Sequence, residues 1–202
     1  MGSGDCGLRI ADLLAACRAV SQRAAAIQKR RTGLPTYTLL DIALDHLTLG
    51  RAALYAAILE QSAIRNAQSA IESAVSGLRR AGTQHELPRA LLTRAWLRSL
   101  TGARTGSESA QEDLDEAWEI AARGAMRLFL ADIHLHRARL FGLRMVDGGL
   151  RIEAEPYPPY PWGESAEADL AAAEKLINEC GYHRRDGELA DARQAILGQA
   201  LR

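Results

Sequence analysis

Arg94-Ala95-Trp96-Leu97 is the middle copy of a unit that occurs three times in the chain. Arg51-Ala52-Ala53-Leu54 precedes it by 43 residues, and Arg137-Ala138-Arg139-Leu140 follows it by 43. A self-similar step of roughly 20 to 50 residues is typical of proteins that stack one small structural unit on the next. The sequence therefore predicts an all-α protein, a right-handed α-solenoid of antiparallel helix pairs.

A second set of positions keeps the same step. Ala74 lies 43 residues before Ala117, and Ala117 lies 56 residues before Ala173. The 13 additional residues in the last interval indicate a proline-rich insertion. One helix pair cannot cover its own apolar faces, so neighbouring pairs must stack, and the recurring alanines mark where two backbones approach most closely.

Helix start and stop signals divide the chain into elements. We expect residues 1–7 to be disordered or left over from cloning, and residues 8–202 to form a single repeat domain. Its predicted parts are a leading helix at 8–31, repeats at about 36–82, 86–124 and 126–181, an insertion at 146–164, and a capping helix at 186–201.

Local signals indicate where the fifth and sixth helices end and what conformation the insertion has. Ser109 followed by Glu112 indicates a capping box for the fifth helix, with Ser107 as the alternative cap. The fifth helix is expected to end at Arg123-Gly124, and the sixth to run from about Met126 to Met145. The insertion is too rich in Gly and Pro for a helix, so we expect a short hairpin and then an extended segment.

Charge and cysteine content limit the classes of partner and setting. The formal net charge is zero, which argues against nucleic acid or an anionic membrane as partner. Residues 1–105 hold 14 Lys/Arg against 7 Asp/Glu, and residues 106–202 hold 11 against 18, a gradient that suits head-to-tail self-association or is only compositional drift.

Cys6, Cys17 and Cys180 form neither a disulfide framework nor a metal spacing. With no uninterrupted apolar span and no signal peptide, we expect a cytoplasmic protein.

The helix pairs resemble the tetratricopeptide repeat, whose period is about 34 residues. Ala95 lies seven residues before the turn glycine Gly102, and Ala117 lies among the large apolar residues Leu114 and Ile120. The longer step of 43 residues fits longer helices and turns.

Four runs are similar to the C-terminal repeats of bacterial STAND-type ATPases of the NACHT and NB-ARC kind. These runs are Ile42-Ala43-Leu44-Asp45-His46-Leu47-Thr48-Leu49-Gly50-Arg51-Ala52, Gly77-Leu78-Arg79-Arg80-Ala81-Gly82-Thr83, Asp113-Leu114-Asp115-Glu116-Ala117 and Gly181-Tyr182-His183-Arg184-Arg185-Asp186. The resemblance covers about residues 35–195 and implies that the chain is a sensor or docking arm within a longer signalling ATPase. No GxxxxGK[ST] phosphate loop occurs, so no nucleotide chemistry is assigned to these residues.

The repeated arginines Arg51, Arg94 and Arg137 have two readings. Guanidinium groups once per repeat suit a stripe that binds carboxylate or phosphate. The structural alternative, which we favour beside packing alanines, is pairing with a carboxylate on a second helix, for which Asp113 and Asp169 stand at matching positions.

A separate stripe on the first helix of each pair is the candidate partner-binding face. First helices line the concave surface of such solenoids, and an aromatic side chain flanked by charge is typical of peptide grooves. The alternative for Trp96 is an ordinary core position between repeats. The candidate residues are His46, Arg89, Trp96, Asp132, His136 and Arg139.

The insertion contributes three further candidates, Tyr157, Tyr160 and Trp162, as a docking strip or lid, or as a loop pinned back by its rings.

We expect no metal, because His134 and His136 point about 200° apart on a helix. Asp132 with His136 lacks a third ligand. No converging acid, base or nucleophile set is found, so we expect neither catalysis nor a cofactor.

The sequence thus predicts a non-catalytic scaffold that binds a peptide, a partner protein or a neighbouring domain of the same polypeptide. The alternative is a small-ligand sensor pocket closed by the 146–164 loop.

Overall fold

The computed structural model describes residues 10–62, 64–142, 144–146, 149–151, 157–158 and 164–200. Over this part of the chain it contains eight α-helices, two short 3-10 helices and one two-stranded hairpin. The chain divides into two compact units, residues 1–93 and residues 94–202. The helical class predicted from the sequence is confirmed, whereas the solenoid arrangement, its hand and a single continuous domain stay predictions.

The first unit contains α1 (Ile10–Arg31), α2 (Leu39–Glu60), α3 (Arg65–Ala81) and a 3-10 turn at Gln84–Glu86. A complete capping box starts α2, since Thr38 Oγ1 accepts the Asp41 backbone N–H and the Asp41 carboxylate accepts the Thr38 N–H. A Cβ added at Gly50 would lie 2.6 Å from Ile71 Cγ1. Glycine at this position therefore permits the close packing of α2 against α3.

The helix α4 (Leu87–Leu100) begins in the first unit and ends in the second. The second unit continues with α5 (Ala110–Arg123), α6 (Arg127–Gly142), β1 (Arg144–Val146) and β2 (Gly149–Arg151). It ends with α7 (Ala166–Cys180), a 3-10 turn at His183–Arg185 and α8 (Asp186–Ala200). Its core lies between α6, α7 and α8 and includes Leu135, Ala138, Leu170, Ile177 and Ile196.

The predicted end of the sixth helix is wrong. α6 stops at Gly142, because the backbone of Arg144–Val146 pairs antiparallel with Gly149–Arg151 instead of continuing the helix. The hairpin predicted after this helix is present. At the start of α5, Ser109 is the cap, since its Oγ accepts the Glu112 N–H at 3.2 Å. The Glu112 carboxylate accepts the N–H of Glu108 and not that of Ser109, so the predicted capping box forms only in part.

Equivalent positions of the three predicted repeats are similarly buried. The unit alanines Ala52, Ala95 and Ala138 are all buried, and so are the second-helix alanines Ala74, Ala117 and Ala173. The repeat also extends to the backbone. α3, α5 and α7 are each followed by a left-handed residue, with φ of +69° at Gly82, +50° at Ala125 and +64° at Gly181. Gly124, predicted to end α5, is not the left-handed residue, since its φ is −86°.

Among the described helices, α2 is long and apolar enough to cross a membrane, with mean hydropathy 1.3 over its best window. A core helix of a soluble protein passes the same test, and six α2 residues, including Leu47 and Leu54, are buried. The length and composition of α2 are therefore weak evidence for a membrane span. The cytoplasmic location stays a prediction.

Candidate functional site

Two of the three repeated arginines form buried ion pairs in the second unit. Arg94 Nε lies 3.1 Å from both carboxylate oxygens of Asp113, and its Nη2 lies 2.6 Å from Oδ1. Arg137 Nε lies 3.2 Å from Asp169 Oδ2. All four side chains are buried. The predicted pairing with second-helix carboxylates is confirmed for Arg94 and Arg137, which makes these two arginines structural.

Arg51, in the first unit, has a different environment. The residue 43 positions before Asp113 is Ala70, so the matching place on α3 has no carboxylate. Arg51 instead donates from Nε to Thr93 Oγ1 and from Nη2 to the Arg89 carbonyl, both at 2.8 Å. Three identical residues in the sequence thus have two kinds of partner.

Trp96, His136 and Arg139 meet on one face of the second unit. The guanidinium carbon of Arg139 lies 4.9 Å from the centre of the Trp96 indole, a cation–π distance. The imidazole of His136 meets the indole edge-on, with 6.1 Å between ring centroids. The 43-residue step therefore relates two side chains that are in contact, Trp96 and Arg139, and His136 lies beside them.

Asp132 continues this face toward α8. Its carboxylate accepts from Arg185 Nε at 2.8 Å and from the Tyr182 hydroxyl at 3.3 Å. Arg185 also donates to Glu188, whose Oε2 lies 3.5 Å from Arg139 Nη1. Glu188 and Arg185 therefore connect Arg139 to Asp132. We name this face the Trp96 strip, and its members are Trp96, Asp132, His136, Arg139, Arg185 and Glu188.

The imidazole of His136 is neutral at physiological pH. Burial, followed by the positive charges of Arg185 and Arg139, lowers its pKa to about 4. Nδ1 lies 2.7 Å from the Asp132 backbone carbonyl, which only accepts, so Nδ1 carries the proton. Nε2 is then the acceptor nitrogen of a ring held in one tautomer.

A buried polar cluster fixes Tyr157 and Pro158 of the insertion. Asp169 Oδ1 accepts from His134 Nδ1 at 2.7 Å, and Oδ2 accepts from the Tyr157 hydroxyl. Arg137 donates to the Pro158 carbonyl, and its guanidinium carbon lies 5.0 Å from the centre of the Tyr157 ring. Burial and the Asp169 charge raise the pKa of Tyr157. Tyr157 is therefore held against α6 and α7.

The remaining candidates do not join the Trp96 strip. His46 is half-buried on α2 and Arg89 is exposed beside Glu86, with 3.1 Å between Arg89 Nε and Glu86 Oε2. Both belong to the first unit. Tyr160 and Trp162 lie outside the described residues.

Sequence reasoning missed Arg185, Tyr182 and Glu188 as members or neighbours of the strip. A signal was present for Glu188, because it lies 56 residues after Asp132, the interval that separates Ala117 from Ala173. Arg185 and Tyr182 have no such signal, since they stand between helices.

Within the described ranges, no three His, Cys, Asp or Glu side chains are grouped closely enough to hold a metal ion. Cys17 and Cys180 are free thiols, and Cys6 lies outside the described residues.

No protein-family model, curated protein or solved structure matches the chain.

Proposed function

We propose that this protein is a non-catalytic scaffold that binds a peptide or a partner protein through the Trp96 strip. The supporting observation is that Trp96 contacts both Arg139, its equivalent one repeat later, and the neighbouring His136. A rigid aromatic surface flanked by a cation is a frequent energetic centre of protein interfaces.

The ion pair within the strip suits exchange with a partner. The side chains of Arg139 and Glu188 are 32% and 41% exposed and lie 3.5 Å apart, whereas that of Arg137 is only 3% exposed. A solvated pair of this kind adds little to folding stability. Arg139 can therefore leave Glu188 for a carboxylate of the partner at low cost, while Arg137 cannot leave Asp169.

The architecture we propose is a right-handed, tetratricopeptide-like α-solenoid, which acts as the sensor or docking arm of a larger signalling ATPase in the bacterial cytoplasm. The matched burial of the unit alanines and the recurring left-handed residue after each second helix support a stacked repeat. The link to an ATPase rests on the sequence resemblance alone.

Selection of peptides from a displayed random library against the full chain tests this function. Titration calorimetry should show that Trp96→Ala and Arg139→Ala each weaken the selected peptides about tenfold or more. Trp118→Ala, the same truncation on the second helix α5, is the control and should leave affinity unchanged. Peptides that bind all four proteins equally would refute the strip as the binding surface.

The alternative function is a small-ligand pocket closed by the 146–164 loop, of which Tyr157 and Pro158 are fixed against α6 and α7. A thermal-shift screen with small molecules distinguishes the two, since a pocket protein gains stability with a ligand and loses that gain when residues 150–162 are deleted.

A further inference from the structure

The buried carboxylates Asp113 and Asp169 stand at equivalent positions of two predicted repeats, but different parts of the chain complete their contacts. Asp113 is paired with Arg94 and, at 3.0 Å, with Arg98, both on α4. The residue 43 positions after Arg98 is Phe141, whose side chain has no hydrogen-bond donor. The surroundings of Asp169 therefore cannot be completed in the same way.

The insertion supplies the groups that complete this second site. The Tyr157 hydroxyl donates to Asp169 Oδ2, and Arg137 donates to the carbonyl of the next residue, Pro158. The Arg137 guanidinium carbon lies 5.0 Å from the centre of the Tyr157 ring, which meets the Phe141 ring edge-on with 6.1 Å between centroids. One phenol and one backbone carbonyl, on consecutive residues that belong to neither a helix nor a strand, thus fill the site.

The walls of this site select their occupant by polar matching. They are formed by the buried side chains of His134, Arg137 and Phe141 on α6 and of Asp169 on α7, which we name the Tyr157 slot. A buried polar group rejects an occupant that lacks its hydrogen-bond partner. The slot should therefore prefer tyrosine to phenylalanine, and the charge of Asp169 should reject phosphotyrosine.

From these contacts we infer that the Tyr157 slot is a second peptide-binding site, specific for an unphosphorylated Tyr-Pro segment, and that Tyr157-Pro158 occupies it as a built-in competitor. A partner that carries Tyr-Pro displaces these two residues and makes the same two hydrogen bonds. A residue before proline is kept out of the helical conformation, so such a segment loses little entropy on binding. Because the competitor is tethered, its effective concentration is about millimolar, and partners bind the intact chain weakly.

The Tyr157 slot and the Trp96 strip use different sides of α6. Arg137 belongs to the slot and Arg139 to the strip, and side chains two positions apart on a helix point about 200° apart. The inference therefore does not depend on the function proposed for the strip. Peptides selected on the strip should bind Tyr157→Ala as they bind the wild type.

Titration calorimetry with a synthetic peptide of residues 153–159, Glu-Ala-Glu-Pro-Tyr-Pro-Pro, tests the inference. The full-length variant Tyr157→Ala weakens the competitor and should bind this peptide about tenfold or more tightly than the wild type. Tyr55→Ala makes the same change at an exposed tyrosine on α2 and should bind like the wild type. Replacing the peptide tyrosine by phenylalanine should weaken binding about tenfold or more, because the hydrogen bond to Asp169 is lost. Phosphorylating that tyrosine should abolish binding.

Circular dichroism establishes that Tyr157→Ala is folded. If it is not, Tyr157→Phe takes its place, since it keeps the ring in the slot and weakens the competitor by the hydroxyl alone. Its expected gain in peptide affinity is then about threefold or more. Equal affinity of the wild type and the folded Tyr157 variant, or no binding by that variant at about 1 mM peptide, would overturn the inference. Equal binding of the tyrosine and phenylalanine peptides would overturn recognition through Asp169.

Discussion

Ala125 is held in a left-handed conformation, with φ of +50°, that its methyl group disfavours. The corresponding residues after α3 and α7 are Gly82 and Gly181, for which this conformation has no such cost. We therefore expect Ala125→Gly to raise the free energy of unfolding by about 0.5–1 kcal/mol, measured by urea denaturation. Gly82→Ala and Gly181→Ala make the opposite change at the corresponding positions and should each lower the free energy of unfolding by about 1 kcal/mol. A neutral or harmful Ala125→Gly would mean that the turn after α5 is not equivalent to the other two.

His136 should make the protein less stable in mild acid. Its pKa is about 4 in the folded chain against 6.5 for an ordinary histidine. Between these two values the unfolded chain binds a proton that the folded chain does not, so the free energy of unfolding falls as the pH falls. His136→Gln should remove about 2–3 kcal/mol of the loss seen between pH 6.5 and 4 in chemical denaturation.

Asp115 provides the opposite case in the same experiment. Burial raises the pKa of this carboxyl from 3.8 to about 6. The folded chain therefore binds the extra proton below pH 6, and Asp115 adds stability as the pH falls through that range. Asp115→Asn should steepen the acid loss that His136→Gln reduces. Equal slopes in the two variants would contradict both assignments.

The pairing of first-helix arginines with second-helix carboxylates joins the elements α4 and α5. Asp113 contacts both Arg94 and Arg98, the latter at 3.0 Å, and is itself buried. Asp113→Ala should cost about 3–5 kcal/mol in urea denaturation, because it leaves the buried Arg94 without its carboxylate. The double replacement Arg94→Met with Asp113→Leu removes both charges and should cost clearly less. Equal costs for the single and double variants would show that lost packing, and not the stranded charge, dominates.

Tyr157 joins the insertion to α7 in a comparable way. Tyr157→Phe keeps the ring between Arg137 and Phe141 but removes the hydroxyl that donates to Asp169. Loss of a hydrogen bond to a charged group costs about 1.5–3 kcal/mol. We expect faster hydrogen exchange in peptides that cover residues 150–170, with Tyr55→Phe, at an exposed tyrosine, as the control. Unchanged exchange would show that the hydroxyl does not hold the insertion.

Local signals in the sequence predicted these elements well. Ser109 caps α5 as expected, because capping depends on residues within one turn. The end of α6 was mispredicted because Leu140, Phe141, Leu143 and Met145 continue an apolar helical pattern, and only pairing with Gly149–Arg151 shows that the chain leaves the helix. The step of 43 residues selected Trp96 and Arg139, with His136 as a neighbour of the shifted positions. It did not select Arg185 or Tyr182, since they lie between helices after the insertion.

For the molecule as a whole, the proposed binding face requires that successive helix pairs are copies of one another. The repeated unit, its buried alanines and the left-handed residue after each second helix all follow one sequence step, interrupted once by the insertion. If the pairs stack regularly, first helices from different pairs face the same way, which is what a continuous binding face requires. The function that we propose therefore requires the repeat geometry.

A crystal structure of the full chain measures this geometry most directly. We expect the rotation and translation that carry α2 and α3 onto α4 and α5 to match, in size and in right-handed sense, those that carry α4 and α5 onto α6 and α7. Two unrelated transformations, or a left-handed one, would contradict the stacked-repeat architecture.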